Sequence, residues 1–442
     1  MARGRKKENL TPEERLQAAL VPESEQPYKV PGNWCWIRGS AFLKSMETKH
    51  PEGEVFRYID IDAIDNKKQQ VTEPKTLLVK DAPSRASRKL KTGDTIFSMV
   101  RPYLMNIAYI DETISNSIAS TGFYVCTPAE NVNPLYLYYL MTSPYTVEGL
   151  NRYMKGDNSP SIRKDDIENY PYPIPAFAEQ QRIVDRIENL FTKLDEAKQK
   201  AQDVLDSFEP RKAAILHKAF TGELTAQWRK AHRIAKESWI IKPLSKVTNN
   251  HDSQRIPLSQ AERSNLSRIY DYYGASGVID KVDRFIFEGK KLLIGEDGAN
   301  LVTRSKPIAF IAEGQYWVNN HAHVLSTTSE MLLDFLCYYI NSIDLTPYVT
   351  GSAQPKMTQA KMNKIPIPVP MIDEQTEIVR ILDDLLAKEQ QAKEAAEKVL
   401  EQIDLIKKSI LARAFRGELG TNDPSEESAV ELLRQVLSTS DR

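Results

Sequence analysis

The stretch Pro171-Tyr-Pro-Ile-Pro-Ala-Phe-Ala-Glu-Gln180 is answered 195 residues later by Pro366-Ile-Pro-Val-Pro-Met-Ile-Asp-Glu-Gln375. The match continues without a gap, Pro171–Leu224 against Pro366–Leu419, and 22 of the 54 positions are identical. Unrelated sequences of ordinary composition would share roughly three or four, so the chain carries an internal duplication and its fold has to be read as one. Each copy opens on alternating prolines and passes through Glu179-Gln180 or Glu374-Gln375. Each closes on Ala-Phe-x-Gly-Glu-Leu, Ala219–Leu224 and Ala414–Leu419.

The spacing between those marks predicts one long helix per copy. Ile183, Ile187, Leu190, Leu194, Ala197, Ala201, Val204 and Phe208 alternate steps of four and three, the 3.5 period of a coiled-coil seam. The second copy places Ile378, Leu382, Leu385, Glu389, Ala392, Ala396, Val399 and Ile403 at the same positions, with Glu389 as its one departure. Lys, Glu, Gln and Asp fill the flanks, good helix formers that stay in water. The prolines cannot enter the helix and predict an extended lead-in. Gly222 and Gly417 sit where a helix C-terminus needs a residue without Cβ. Small alanines in the seam let two helices approach closely, so the expected arrangement is an antiparallel coiled coil of the two copies about a pseudo-twofold axis. Either helix alone would pass as a purely structural element; an ungapped pair flanked by similar globular stretches does not.

A chain of 442 residues, 41% of them apolar, has room for two globular domains and helical connectors. It has no run of 18 apolar residues and no charged-then-apolar leader, so a cytoplasmic protein without a membrane span is expected. Cys35, Cys126 and Cys337 are scattered and odd in number, which predicts reduced, buried thiols. A formal net charge of −1 excludes a strongly basic stand-alone nucleic-acid binder. Contact with DNA would rest on local patches, or on partners that bring positive charge.

The expected organisation is an N-terminal tail and short helix (1–24), a first globular domain (25–170) and a helical region (171–235). A second globular domain (236–365), a second helical region (366–419) and a C-terminal tail (420–442) follow. Residues 1–10 form a basic tail, and Thr11-Pro12-Glu13-Glu14 carries an N-cap, a first-turn proline and a capping-box glutamate. Strand-type runs at Glu54–Ile61, Asp94–Val100, Asn106–Ile110 and Gly122–Cys126, then a helix at Pro134–Met141, make the first domain mixed α/β (α+β). The second replays it: Leu292–Gly295 answers Ile96–Ser98, Tyr338-Tyr339 answers Tyr138-Tyr139, and Gly351–Lys356 answers Gly156–Ser161. The frameworks agree and the surface residues differ, the expected result if two domains bind two different things. An amphipathic helix is predicted from Ser428 to Leu437.

Catalytic motifs are missing. Asn133-Pro-Leu-Tyr136 is a helix start with an asparagine cap, since the second proline of an amino-methyltransferase signature and its Gly-rich cofactor loop are absent. No Gly-x-x-x-x-Gly-Lys occurs, and Glu196-Ala-Lys198 lies on a solvated helix face. His321 and His323 fall on one side of a strand, but a metal would need a third ligand that the local sequence does not supply. Gly295-Glu-Asp-Gly298 reads as a turn that shapes a surface. The candidate phosphate contacts are Arg85, Arg88, Lys89, Arg101, Arg163 and Lys164 in the first domain, and Arg304, Lys306 and Lys356 in the second. All are expected in loops, with Asn158, Ser161, Ser352 and Gln354 as polar neighbours and Asn319, Asn320 and His321 as candidates to read base edges.

Two similar mixed domains, each followed by a copy of one long helix, resemble the specificity (S) subunits of type I restriction–modification systems. The resemblance rests on the proline-to-Glu-Gln lead-ins and on Ser409–Leu419 and Thr221–Arg229 at the helix ends. Leu293–Gly298 and Trp317–His323 carry it in the second domain. It implies a non-catalytic subunit of a bacterial or archaeal complex that reads double-stranded DNA, one half-site per domain. The helices would be the ruler between half-sites and the dock for two methyltransferase (M) subunits, which would methylate adenine N6 with S-adenosylmethionine after flipping the base out. Restriction (R) subunits would bring ATP and magnesium. The resemblance leaves open a specificity subunit of a solitary adenine methyltransferase without a nuclease. The residues alone also allow a coiled-coil scaffold that reads no DNA. Target sequence, gap length and the role of the N-terminal segment stay open.

Overall fold

The computed structural model describes residues 11–235, 238–351, 354–431 and 433–434. The chain divides into two compact units, one built from residues up to Lys200 together with those from Val399 onward, the other from Ala201–Lys398. The basic tail of residues 1–10 lies outside the described residues, as does the predicted C-terminal helix beyond Arg434.

The first unit opens on α1 (Pro12–Ala19), where Thr11 and Glu14 form the expected capping box. β1 (Cys35–Arg38) follows, then two four-stranded sheets. One has the order β2 (Leu43–Lys44), β11 (Phe123–Pro128), β8 (Thr95–Ser98), β9 (Ile107–Tyr109); the other β6 (Lys75–Leu78), β3 (Val55–Ile59), β10 (Ile118–Ser120), β7 (Ala86–Lys89). A hairpin of β4 (Ile64–Asp65) and β5 (Gln70–Val71) lies between. After α2 (Pro134–Thr142), α3 (Pro144–Asn151) and α4 (Lys164–Asn169), the prolines of β12 (Pro171–Ile174) pair antiparallel with β1. Their alternation leaves Tyr172 and Ile174 to make the ladder bonds and puts the missing donors on the other edge. Phe97, Tyr136, Leu137 and Leu140 pack with Ile183, Val184 and Ile187 of α5 (Phe177–Asp206) in one continuous core.

The second unit repeats both four-stranded sheets and the proline-strand pair, without a counterpart of the β4–β5 hairpin among the described residues. α6 (Phe208–Phe220), α7 (Ala226–His232), β13 (Ile240–Pro243) and α8 (Leu244–Val247) lead in. One sheet is β14 (Thr248–Asn250), β21 (Ala322–Thr327), β18 (Lys291–Gly295), β19 (Ala309–Ala312). The other, preceded by α9 (Gln260–Ser264), is β16 (Gly277–Val282), β15 (Tyr270–Gly274), β20 (Gln315–Val318), β17 (Phe287–Glu288). α10 (Asn300–Thr303), α11 (Leu333–Ser342) and α12 (Gln359–Met362) complete the domain, and β22 (Pro366–Val369) pairs with β13 before α13 (Ile372–Ala414) begins. Even the parallel pairing recurs, β3 with β10 and β15 with β20, against antiparallel neighbours. The mixed α+β class is as expected.

Four details depart from the sequence reading. The first copy is not one helix: α5 ends at Asp206 and α6 starts at Phe208, because Pro210 has no N–H for the preceding turn and crowds its carbonyl. The second copy has Leu405 there, and α13 runs unbroken. The seam of the first copy holds from Ile183 to Phe208, whereas the second moves on by one residue after Glu389. Ala392 and Val399 face solvent, while Lys393 and Leu400 turn inward, a four-residue step inserted in the heptad pattern. The tyrosine pairs are offset by one. Asn133 and Leu332 both donate their backbone N–H to a helix glutamine, so Tyr138-Tyr139 corresponds to Cys337-Tyr338. Finally, Arg88 and Lys89 lie in strand β7 and Lys164 opens helix α4, not in loops.

Both glycine caps are as read. Gly222 (φ +78°) and Gly417 (φ +73°) are left-handed, and the next residue bonds back five positions, Glu223 N to Lys218 O and Glu418 N to Arg413 O, each at 2.9 Å. A Cβ on Gly417 would also collide with Pro31. Cys35 and Cys126 are buried, Cys337 is half-buried, and all three are free thiols; burial pushes the Cys35 thiol up to about 12. Among the described residues, no helix is long and apolar enough to cross a membrane.

Candidate nucleic-acid interface

The Glu-Gln pair that opens each helix is the joint between helix and globular domain. Glu179 is fully buried and accepts from Trp34 Nε1 (2.8 Å) and Asn422 Nδ2 (2.9 Å). Gln180 accepts from Asn133 N at 2.8 Å, at the very start of α2, and donates to Asn131 O and Pro175 O. In the second unit Glu374 accepts from Trp239 Nε1 (2.9 Å), Thr225 Oγ1 (2.7 Å) and Arg229 (2.6 Å). Gln375 accepts from Leu332 N and donates to Glu330 O and Pro370 O, all at 2.8 Å. Turning a domain against its helix would strand these buried polar groups at about 1–3 kcal/mol each. Whatever a domain presents is therefore held in a fixed direction on its helix. Asn133 is the cap it was read as, its Oδ1 accepting from Leu135 N and Tyr136 N.

In the first unit several candidates gather around one set of loops. Lys155 and Ser161 exchange backbone hydrogen bonds (2.9 and 3.0 Å) and clasp the loop Gly156–Pro160. Arg101 is exposed in a left-handed conformation; its N–H donates to Pro160 O at 2.8 Å and its guanidinium to Asn158 O at 2.7 Å. Ile162 N binds Met99 O, Met99 N binds Gly122 O, and Thr121 N binds Arg85 O, each at 2.9 Å. This ladder joins the exposed Arg85 to Arg101, Asn158, Ser161 and Arg163, the last at the start of α4. Lys89 and Lys91 both pair with Glu47, which holds that carboxyl down at about 2, and Lys164 pairs with Glu168 at 3.2 Å. Those lysines are already answered by acids, and Arg88 is half-buried in β7. The outward cations of the set are Arg85, Arg101 and Arg163.

The second unit builds the same loop with other side chains. Thr350 and Lys356 exchange backbone hydrogen bonds at 2.8 Å, and Lys356 bridges to Asp297 as Ser161 bridges to Val100. Glu296 N donates to His321 O (2.9 Å) and Met357 N to Glu296 O (2.7 Å), which brings Asn320, His321, Gln354 and Lys356 to one surface. Asn319 lies beneath it, buried, its Oδ1 holding His321 N at 2.8 Å. Ser352 lies outside the described residues.

The two histidines go separate ways. His321 meets Asp297 at 2.8 Å on the surface, just before β21. His323 is buried, with Nδ1 at 2.6 Å from Asp252 and Nε2 at 2.9 Å from Met357 O. Asp252, Glu296 and His323 do converge, their ligand atoms within 4.8 Å. Each is engaged already: Arg255 donates to Glu296 at 2.7 Å and lies 3.5 Å from Asp252, and Lys356 reaches Glu296 at 3.2 Å. Burial would raise the Glu296 carboxyl, but Arg255, His323 and Lys356 outweigh it and hold it below the usual range. Asp252 is lowered in the same way, chiefly by His323 against its own burial. The cluster is a charge-compensated floor under the loop surface. Sequence reading missed Asp252 and Arg255, which lie 44 and 41 residues before their partner Glu296 and belong to no motif.

Arg304 and Lys306 lie apart from this surface. Arg304 donates to Ile343 O at 2.6 Å at the end of α11, and burial lowers its basicity. With Lys306 it lines a cavity of about 1190 Å³ against Phe208, Leu216 and Phe220 of the helical segment.

Comparison with known proteins gives one consistent result. Residues 35–205 and 237–402 each match the family model described as type I restriction modification DNA specificity domain. The EcoDI specificity subunit of Escherichia coli is 27% identical over 64% of this chain and 70% of its own length. The StySPI specificity subunit of Salmonella potsdam is 22% identical over 87% and 86%. A putative type I restriction enzyme specificity subunit of Haemophilus influenzae reaches 39% identity, over 33% of this chain and only 37% of its own length. The crystal structure of the HsdS subunit from Thermoanaerobacter tengcongensis superposes with a TM-score of 0.68 at 24% identity, covering 89% of this chain and all of that one.

Proposed function

The chain belongs to the family of type I restriction–modification DNA specificity domains, matched once in each half, and from this we infer a specificity subunit that reads a bipartite DNA target, one half-site per unit. The observation that carries the reading is the loop built twice on one framework with different side chains. The same pair of backbone bonds closes each loop, between Lys155 and Ser161 in one and between Thr350 and Lys356 in the other. At the first lie Asn158 and Ser161 with Arg101 and Arg163 beside them, at the second Gln354 and Lys356 with His321 beside them. The fixed backbone would set position on the duplex and the differing side chains would set sequence.

The chain itself would be non-catalytic. The helices would dock two methyltransferase subunits, which use S-adenosylmethionine on adenine N6, and restriction subunits with ATP and magnesium would complete the complex. The near-neutral charge of this chain supports shared affinity, its partners supplying the remaining cations. Exchange of residues 239–364 for the equivalent domain of another specificity subunit tests the reading. Methylome sequencing should then show one half-site changed and the other kept; both halves altered, or methylation lost from a folded complex, would refute modular recognition.

A further inference from the structure

The two units are copies, and one of them lacks a piece that the other has. In the first unit the outer edge of β1 is closed by the N-terminal segment. Leu20 bridges Ile37 antiparallel, Val21 N donates to Trp36 O at 2.9 Å, and Glu25 ion-pairs with Arg38. Tyr28 stacks edge-on against Trp36 at 4.8 Å. Under this cover Cys35 is 6% and Trp36 2% exposed.

β13 is the same strand in the second unit. Ile240 faces Val369 as Cys35 faces Ile174, and the preceding Trp239 binds Glu374 as Trp34 binds Glu179. Yet Ile240 is 59% and Ile241 63% exposed, and Met371 and Ile372 beside them are exposed too. Among the described residues no strand pairs with the outer edge of β13. Only six residues of sequence separate His232, the end of α7, from Trp239, too few to match Thr11–Tyr28. An open edge flanked by aliphatic side chains is a template for an added strand.

The surroundings say what kind of strand. Leu244 N and Ser245 N bond to Ile365 O and Asn363 O, which sets the exposed Lys246, Lys361 and Lys364 at the Pro243 end of the edge. The segment that covers β1 is acidic, with Glu13, Glu14, Glu23 and Glu25 around Leu16, Leu20 and Val21. We propose that the outer edge of β13 is a docking site for an extended acidic, aliphatic segment of a methyltransferase subunit, added as a third strand over Ile240, Ile241, Met371 and Ile372. This rests on the specificity-subunit reading and goes beyond it: the matching edge of β1 is already closed, so one of two methyltransferase subunits makes this contact and the other does not.

The test is native mass spectrometry of the full-length chain titrated with its cognate methyltransferase subunit, comparing wild type with Ile240→Ser combined with Ile241→Glu. Both side chains face solvent, and a thermal melt checks that the variant keeps its fold. The variant should take the first methyltransferase normally and the second about tenfold more weakly. In wild type, a synthetic peptide of residues 11–28 should compete with the second only. Equal binding of both subunits by the variant would overturn the proposal. So would wild-type dimers of this chain that the substitutions abolish, since the occupant would then be a second copy. A wild-type chain that binds no methyltransferase at all would instead overturn the specificity-subunit reading, and this proposal with it.

Discussion

Arg211 donates to Glu389 at 2.8 Å across the seam of the second unit, and the positions equivalent to this pair in the first unit are Ile406 and Leu194. The seam's one polar departure is therefore matched by a second that periodicity alone does not reveal. Pro210 explains why it is here. Where that proline breaks the helix, the Arg211 guanidinium also reaches Val204 O and the Ser207 hydroxyl. One side chain satisfies the broken turn and meets the acid opposite.

Because the pair is half-exposed, its Coulomb term is modest, about 1 kcal/mol or less after screening. Glu389→Ala or Arg211→Ala should each lower stability by about 1 kcal/mol. Arg211→Ile with Glu389→Leu should recover most of the Glu389 loss, since it rebuilds the apolar pair of the other copy. A double-mutant cycle by chemical denaturation measures the coupling; strictly additive losses would show that the two side chains act independently.

The buried pair of Arg229 and Glu374 behaves differently. Their side chains are 8% and 0% exposed, so Arg229→Met leaves a carboxylate uncompensated inside the joint, at about 3–5 kcal/mol. Hydrogen exchange should quicken around Trp239 and the start of α13. In the first unit Glu179 is held by neutral donors, Trp34 and Asn422, and Asn422→Ala should cost less, about 1–2 kcal/mol.

Among the loop cations, Arg85→Ala with Arg101→Ala should weaken binding to specific and random DNA alike. The salt slope should become shallower by about 0.9 for each phosphate no longer neutralised. Lys89→Ala should leave that slope unchanged, because Glu47 already holds the ammonium. Gln354→Ala should relax one base position instead, by about 1–3 kcal/mol of discrimination. Fluorescence anisotropy across a salt series separates the three outcomes.

Much of this was legible because it is periodic or punctuated: the duplication, the seam of the first copy, the glycine caps, Thr11 and Asn133. What escaped depends on residues far apart in the chain. The Glu-Gln pair stood out as a mark, but its purpose required seeing Trp34 and Asn133 converge on it from 145 and 47 residues away. Arg88 and Lys89 read as loop cations because β7 is a four-residue strand with no alternation to announce it. Arg304 looked like a phosphate ligand because a basic side chain's occupation at a helix end leaves no local signature. The shift of the seam to Lys393 and Leu400 is decided by the partner helix, with Lys393 lying 4.9 Å over the ring of Phe208.

The compensated floor of the second loop surface should fail in acid. Asp252 and Glu296 are both held below their ordinary values, near 3.8 and 4.5. Their contribution is present above those values and is lost as pH falls through the lowered ones, so the window lies below about pH 4.5. Glu296→Gln should flatten the pH dependence of the second unit's melting between about pH 4.5 and 3, with the first unit unaffected, as differential scanning calorimetry would show.

The last prediction concerns length. α5 passes from one unit to the other at Lys200–Ala201, and α13 does so at Lys398–Val399. Four residues inserted after Ala201 and four after Ala396 lengthen both connections by about 6 Å at 1.5 Å per residue. Four residues is close to the helical repeat, and α13 already absorbs one such step between Glu389 and Lys393. The paired insertion should therefore keep both seams buried. Two-residue insertions should turn Ile183 and Ile378 out of phase with what lies beyond and cost stability. If the helices measure the DNA, the paired variant should methylate sites with both half-sites unchanged and a gap longer by one or two base pairs, about 3.4 Å each. Methylation at the original gap by a folded paired variant would show that the helices are not the ruler.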